Sequence, residues 1–191
     1  MWARLDGAPR GLLGDGGDAM GSVTVAFVAV LESVRAQIDE LDARIAELLD
    51  AHPDGPVFRS LPRSGTVRAA TLLAEIGDCR ARFPTPESLA CLAGATPSTR
   101  ESGRHRVVTF RWACDKKLRD AVMDFAGDSM RGSEWAAERY RRLRAEGKRH
   151  PHAERVLARA WLHVIWRCWQ DGVPYDPARH GASQRLLAGT A

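Results

Sequence analysis

Phe58-Arg59-Ser60-Leu61-Pro62-Arg63-Ser64-Gly65-Thr66-Val67-Arg68-Ala69-Ala70-Thr71-Leu72-Leu73-Ala74-Glu75-Ile76-Gly77-Asp78 contains a short apolar element, a tight Pro/Gly turn and an Ala-rich helix. Gly77, just past the last apolar position, is a helix stop. Element, turn and helix together outline a helix-hairpin-helix. In that motif the turn and the following helix N-terminus aim backbone N–H groups at a phosphate, a contact that carries no base sequence. The usual hairpin sets a glycine at each end of an apolar residue. Here Arg63 and Ser64 stand where a glycine and an apolar residue belong, and only Gly65 remains. The candidate phosphate contacts are Arg63, Gly65, Thr66 and Arg68.

Upstream, Phe27, Leu31, Val34, Ile38, Leu41, Ile45 and Leu48 are separated by 4, 3, 4, 3, 4 and 3 residues. That is a heptad seam, with Glu32, Arg35, Asp39, Glu40, Asp42, Arg44 and Glu47 on the faces between. The spacing predicts a coiled-coil helix over 22–52, pairing with a second copy or packing on its own domain. His52-Pro53-Asp54-Gly55-Pro56 ends it. Residues 1–21 hold six glycines (Gly7, Gly11, Gly14, Gly16, Gly17 and Gly21) and read as a disordered leader. Downstream, Thr85 and Pro86 open a helix that Gly94 closes. Val107-Val108-Thr109-Phe110 reads as a short strand or an extended arm. Further helices are expected over 111–130, with Trp112, Leu118, Val122 and Phe125 inward, and over Glu134–Glu146 and His152–Gln170. The fold class expected is all-α, mainly helical, with a compact domain over 57–178 and a flexible tail over 179–191.

The 191 residues are 45% hydrophobic and 27% charged, enough to bury a core and too ordered in pattern for wholesale disorder. No uninterrupted apolar run reaches the roughly 18 to 20 residues of a bilayer span. Met1-Trp2-Ala3-Arg4-Leu5-Asp6 lacks the start of a signal peptide. The expectation is a cytoplasmic chain with no membrane partner. Cys79, Cys91, Cys114 and Cys168 have no paired spacing, and Pro151 separates the only close histidines, so no metal site is expected. The net charge of +4 hides an asymmetry. Residues 1–54 hold 4 basic and 10 acidic side chains, whereas residues 55–191 hold 24 basic and 14 acidic ones. A basic body suits a phosphate backbone as partner.

Ala95-Thr96-Pro97-Ser98-Thr99-Arg100-Glu101-Ser102-Gly103-Arg104-His105-Arg106 sets one serine beside a glycine and among three arginines. A hydroxyl framed by guanidinium groups suits a nucleophile aimed at a phosphodiester. Serine is unactivated by default, and Ser-Gly is an ordinary turn dipeptide.

The blocks L-P-x-x-G-x-x-x-A-A-T-L-L-A-E-I-G-D, R-F-P-T-P-E-S-L-A-C-L-A-G-A-T-P-S-T-R-E-S-G-R, K-K-L-R and D-G-V-P-Y-D-P, in that order between Leu61 and Asp176, resemble the C-terminal domain of the DEDD/serine insertion-sequence transposases. These are bridge-RNA-guided recombinases related to the Piv-type DNA invertases. The resemblance implies that Ser102 is the recombinase nucleophile and forms a phosphoserine link to DNA. Arg100, Gly103, Arg104, Arg106, Lys116, Lys117 and Arg119 would grip the backbone or stabilise charge. It also implies DNA and a guide RNA as partners, and a homo-oligomer joined through the coiled coil. The family's nuclease half, whose four acidic residues hold Mg²⁺, has no counterpart here, so no cofactor is expected in this chain. The expectation is a transposase fragment, either truncated, decayed or read from a start inside a longer gene, and inactive by itself. The alternative is a non-catalytic DNA-binding or dimerising remnant that modulates a full-length transposase.

Overall fold

The computed structural model describes residues 17–181, with side chains from residue 20 onward. Among them are seven α-helices: α1 (Gly17–Ala51), α2 (Gly55–Arg59), α3 (Thr66–Ile76), α4 (Pro86–Leu92), α5 (Lys116–Ser129), α6 (Glu134–Ala145) and α7 (His150–Asp171). Two strands, β1 (Ser98–Ser102) and β2 (His105–Thr109), form one antiparallel hairpin. The expected mainly helical class holds.

The chain divides into two compact units, Met1–Ala43 and Arg44–Ala191, with the boundary inside α1. In the first unit, Phe27, Leu31, Val34, Ile38 and Leu41 are all exposed. In the second, the last turns of α1 belong to the domain. Ile45 is half-buried and Leu49, at 2% exposure, joins the core. The glycine-rich leader expected over 1–21 lies mostly outside the described residues, but its last five residues are helical. Gly17 and Gly21 weaken a helix by only about 1 kcal/mol each, too little to stop a 35-residue one. Met20–Ala51 is long and apolar enough to cross a bilayer by length and composition, because only Glu32 and Arg35 interrupt its N-terminal half.

The second unit is built around α7. Trp161, Leu162, Ile165 and Trp169 are all exposed by 1% or less. Phe125, Trp135 and Tyr175 meet the Trp161 ring edge-on at centroid distances of 5.2, 4.9 and 5.5 Å. Its indole N–H donates to Ser129 Oγ at 2.8 Å, and that hydroxyl donates to the Ala126 carbonyl at 2.7 Å. A buried Trp thus has its one donor satisfied. The C-terminal turn of α7 closes the 79–83 loop, where Trp166 and Gln170 donate to the Phe83 carbonyl at 2.8 and 3.0 Å.

Two helix expectations need correction. The helix expected over 111–130 begins at Lys116, because Asp115 caps it by accepting from the Lys117 and Leu118 amides. Trp112 precedes that cap and is 78% exposed rather than inward. The last helix begins at His150, because Pro151 suits the first turn, where no N–H partner is needed.

Candidate nucleic-acid interface

The Ala95–Arg106 segment is a β-hairpin. Ser98 pairs with Thr109, Arg100 with Val107, Glu101 with Arg106 and Ser102 with His105. Gly103 has φ +55°, while Arg104 does not share the left-handed region. A two-residue loop with positive φ at its first residue only has the sign pattern of a type II′ turn, the kind that matches strand twist. Ser102 is therefore the last residue of β1, at the lip of an exposed turn. Side chains alternate along a strand, so Ser98, Arg100 and Ser102 share one face with Thr109, Val107 and His105. On the other face Arg106 pairs with Glu101 at 3.1 Å. Arg100 and Arg104 have no carboxylate partner among the described residues.

The hairpin foot is well tied. Ala95 N–H donates to the Ala90 carbonyl at 3.0 Å and Asp115 N–H to the Leu92 carbonyl at 2.8 Å. Arg111 Nε donates to the Thr96 carbonyl at 3.3 Å. Phe110 meets Trp112 edge-on at 4.8 Å and carries the Arg155 guanidinium over its ring at 4.3 Å. Gly94, φ +65°, is needed at the approach, since a Cβ there would stand 2.8 Å from Cys114 Sγ.

In the turn between α2 and α3 and the helix start after it, two of the expected phosphate contacts are ion-paired. Arg68 reaches both Asp124 and Asp128 at 2.9 Å and donates to the Arg63 carbonyl at 2.7 Å. Arg63 Nε pairs with Asp128 at 3.1 Å and adopts φ +59°, a strained conformation for a non-glycine residue. The Arg63 hydrogen bond, then that of Arg68, hold the Asp128 carboxyl below its ordinary range. These two arginines fasten the turn to α5, so their charge is already matched. Gly65, exposed at the α3 N-cap, and half-buried Thr66 remain at the helix start. Lys116 and Lys117 are exposed on the first turn of α5, whereas Arg119 pairs with Asp120 at 2.9 Å.

Beside the hairpin foot runs a groove of about 850 Å³ that sequence reading missed. Arg111, Arg139, Arg155 and Arg159 line it, with histidines and no acidic residue. All four guanidinium-bearing side chains are half-buried. Arg139 Nε is buried without a hydrogen-bond partner. Burial first, and Arg142 second, push the Arg139 pKa below its ordinary value; burial and Arg119 do the same to Arg155. The signal was present in the sequence. His152, Arg155, Arg159 and His163 recur at intervals of 3, 4 and 4, a basic stripe along one face of α7.

Among the described residues the helical domain thus carries a serine and arginines without carboxylate partners on an exposed hairpin, and half-buried arginines without ion pairs in the groove at its foot. Residues 55–141 match the model of the Transposase IS116/IS110/IS902 family. It is 32% identical over 162 residues to the "Mini-circle putative transposase for IS117" of Streptomyces coelicolor, covering 85% of this chain and 39% of that protein. It is 35% identical to the insertion element IS110 43.6 kDa protein of the same organism over 87% of this chain and 41% of that protein. It is 33% identical to the insertion element IS900 42 kDa protein of Mycobacterium paratuberculosis over 85% of this chain and 41% of that protein. The chain spans about two fifths of the length of these relatives.

Proposed function

We propose that this chain is the strand-handling part of a transposase, in which Ser102 attacks a DNA phosphodiester. The observation that supports this best is the position of Ser102 at the lip of an exposed turn, next to side-chain-free Gly103 and to Arg100 and Arg104 without carboxylate partners. In the step, Ser102 Oγ bonds to phosphorus and gives up its proton. The bridging oxygen of the cut strand departs as a hydroxyl after taking up a proton. The phosphoserine bond conserves the energy of the broken ester, so reversal onto another strand end needs no external donor. Arg100 and Arg104 stabilise charge on the non-bridging oxygens. His105, directly across the ladder, is available on that face to accept the serine proton.

The resemblance implies Mg²⁺. Among the described residues no group of three or more His, Cys, Asp or Glu side chains is placed to hold a metal ion. Asp124 and Asp128 are held by arginines. These residues do not fit the ion, and no step is routed through it.

The exposed seam of α1 pairs with the seam of a second copy. Burying one large aliphatic side chain is worth roughly 1.5–3 kcal/mol. The five exposed seam residues of the first unit on each partner therefore suffice to offset an association cost on the order of 4–15 kcal/mol.

The test is to incubate the chain with nicked or junction DNA, alone and with a full-length family transposase, and to resolve products on denaturing gels. A covalent protein–DNA band that Ser102→Ala abolishes is expected. No such band under either condition removes the nucleophile, and retained binding would then leave a DNA-binding or dimerising role.

A further inference from the structure

We infer that the groove beside the hairpin foot is a binding site for the sugar–phosphate backbone of single-stranded DNA, with Arg111, Arg139, Arg155 and Arg159 as its phosphate ligands. The inference rests on the transposase reading for the identity of the strand, but not on Ser102 being a nucleophile.

Charge accounting comes first. Half-buried arginines are ordinarily paired, because burying an unpaired charge is costly. Elsewhere in this unit the rule is obeyed: Arg59, Arg68, Arg80 and Arg119 each reach an aspartate. In the groove it is not. Among the described residues Arg139, Arg155 and Arg159 form no ion pair, and Arg111 reaches only the Thr96 carbonyl. Arginine cannot shed its proton, so burial next to other cations raises the energy of the empty groove rather than neutralising it. An anion would relieve that, and would give Arg139 Nε the acceptor it lacks.

Shape and position narrow the anion. A cavity of about 850 Å³ is large for an isolated inorganic phosphate and too small to admit a duplex, but it accommodates a short run of one strand. Two rows supply the cations: Arg155 and Arg159 one turn apart on α7, and Arg139 on α6. Such rows can take successive phosphates, and Phe110 and Trp135 add apolar wall of the kind that single-strand sites use. Val108 and Thr109, at the hairpin foot, also line the groove. Ser98 pairs with Thr109 at that level and Ser102 lies four residues further along β1. At about 3.4 Å of rise per residue, the groove lies about 14 Å along the strand from the Ser102 hydroxyl. A few nucleotides bridge that distance, so a strand seated in the groove can run up to the hairpin tip.

The experiment titrates the full chain with fluorescent single-stranded dT oligonucleotide at several salt concentrations. The variants are Arg139→Gln/Arg159→Gln, which removes two ligands yet keeps Arg155 on Phe110, and Arg141→Gln/Arg167→Gln as a control. The control loses the same charge from arginines already paired with Glu134, Glu138 and Asp171. Expected results are a roughly tenfold or greater loss of affinity in the groove variant and a salt slope shallower by about 1.4, the value for two lost phosphate contacts on a single strand. The control should change by less than half as much. Equal losses in both variants, or none in the groove variant, overturn the site even if the Ser102 adduct forms normally. A groove-dependent preference for duplex DNA or RNA over the oligonucleotide overturns the assignment to single-stranded DNA. Groove-dependent binding with no adduct leaves this site standing while the nucleophile falls.

Discussion

Gly103→Ala is the sharpest test of the hairpin geometry. Nothing lies within 4 Å of where its Cβ would stand, so any effect must come from the backbone. With φ at +55° an L-residue costs about 1–2 kcal/mol relative to glycine. The hairpin places no residue in the buried core, since every strand position except half-buried Ser98 is exposed. That cost therefore falls on local opening rather than on global unfolding. Backbone amides of β1 and β2 should lose about 5- to 30-fold in hydrogen-exchange protection, while the thermal midpoint moves by less than about 1 °C. Adduct formation should fall with the closed population. Arg104→Ala is the matched comparison. Its position does not have positive φ, so protection should stay unchanged while the adduct rate falls through loss of charge. Unaltered strand protection in Gly103→Ala, or an equal loss in Arg104→Ala, would refute the turn assignment.

Three further outcomes are expected. Ser129→Ala leaves the Trp161 indole N–H buried without an acceptor, which costs about 1–3 kcal/mol; urea unfolding followed by fluorescence should show it. Adding Trp161→Phe should recover part of that loss, and strict additivity would contradict the hydrogen bond. Asp128 has a depressed folded-state pKa, so its stabilising contribution is in place above the unfolded value, near about 4, and is lost as pH falls through the folded value. Asp128→Asn should lower stability at neutral pH and flatten the decline below about pH 5; a decline parallel to wild type counts against the Arg63–Asp128–Arg68 link. Ile38→Asp should dissociate the self-paired chain in sedimentation experiments without altering the helical domain. A wild-type chain that is monomeric and floats with lipid vesicles would instead make α1 a membrane segment.

The helices were legible because their apolar residues recur at helical spacing and their ends carry strong signals: Thr85 and Pro86 before α4, Gly77 after α3. The hairpin was only half legible. Val107–Thr109 reads as extended, but Ser98–Ser102 has no apolar alternation, because neither face of the pair is buried. Trp112 was misplaced inward by its hydrophobicity, whereas the Asp115 cap two residues before Lys117 decides where the helix starts. A sequence does not reveal that Asp124 and Asp128, some sixty residues away, face Arg63 and Arg68. For the same reason the groove went unnoticed. Arg139 and Arg155 lie on different helices, and only the packing of α6 against α7 brings them to one wall.

Arg155 belongs to two structures at once. Its guanidinium braces Phe110 at the root of the hairpin and also forms part of the groove wall. Any ligand that draws on that guanidinium changes the stiffness of the hairpin, and by linkage a change in the hairpin alters the ligand's affinity to the same degree. Occupancy below and posture above are then two readings of one equilibrium, set by a single side chain.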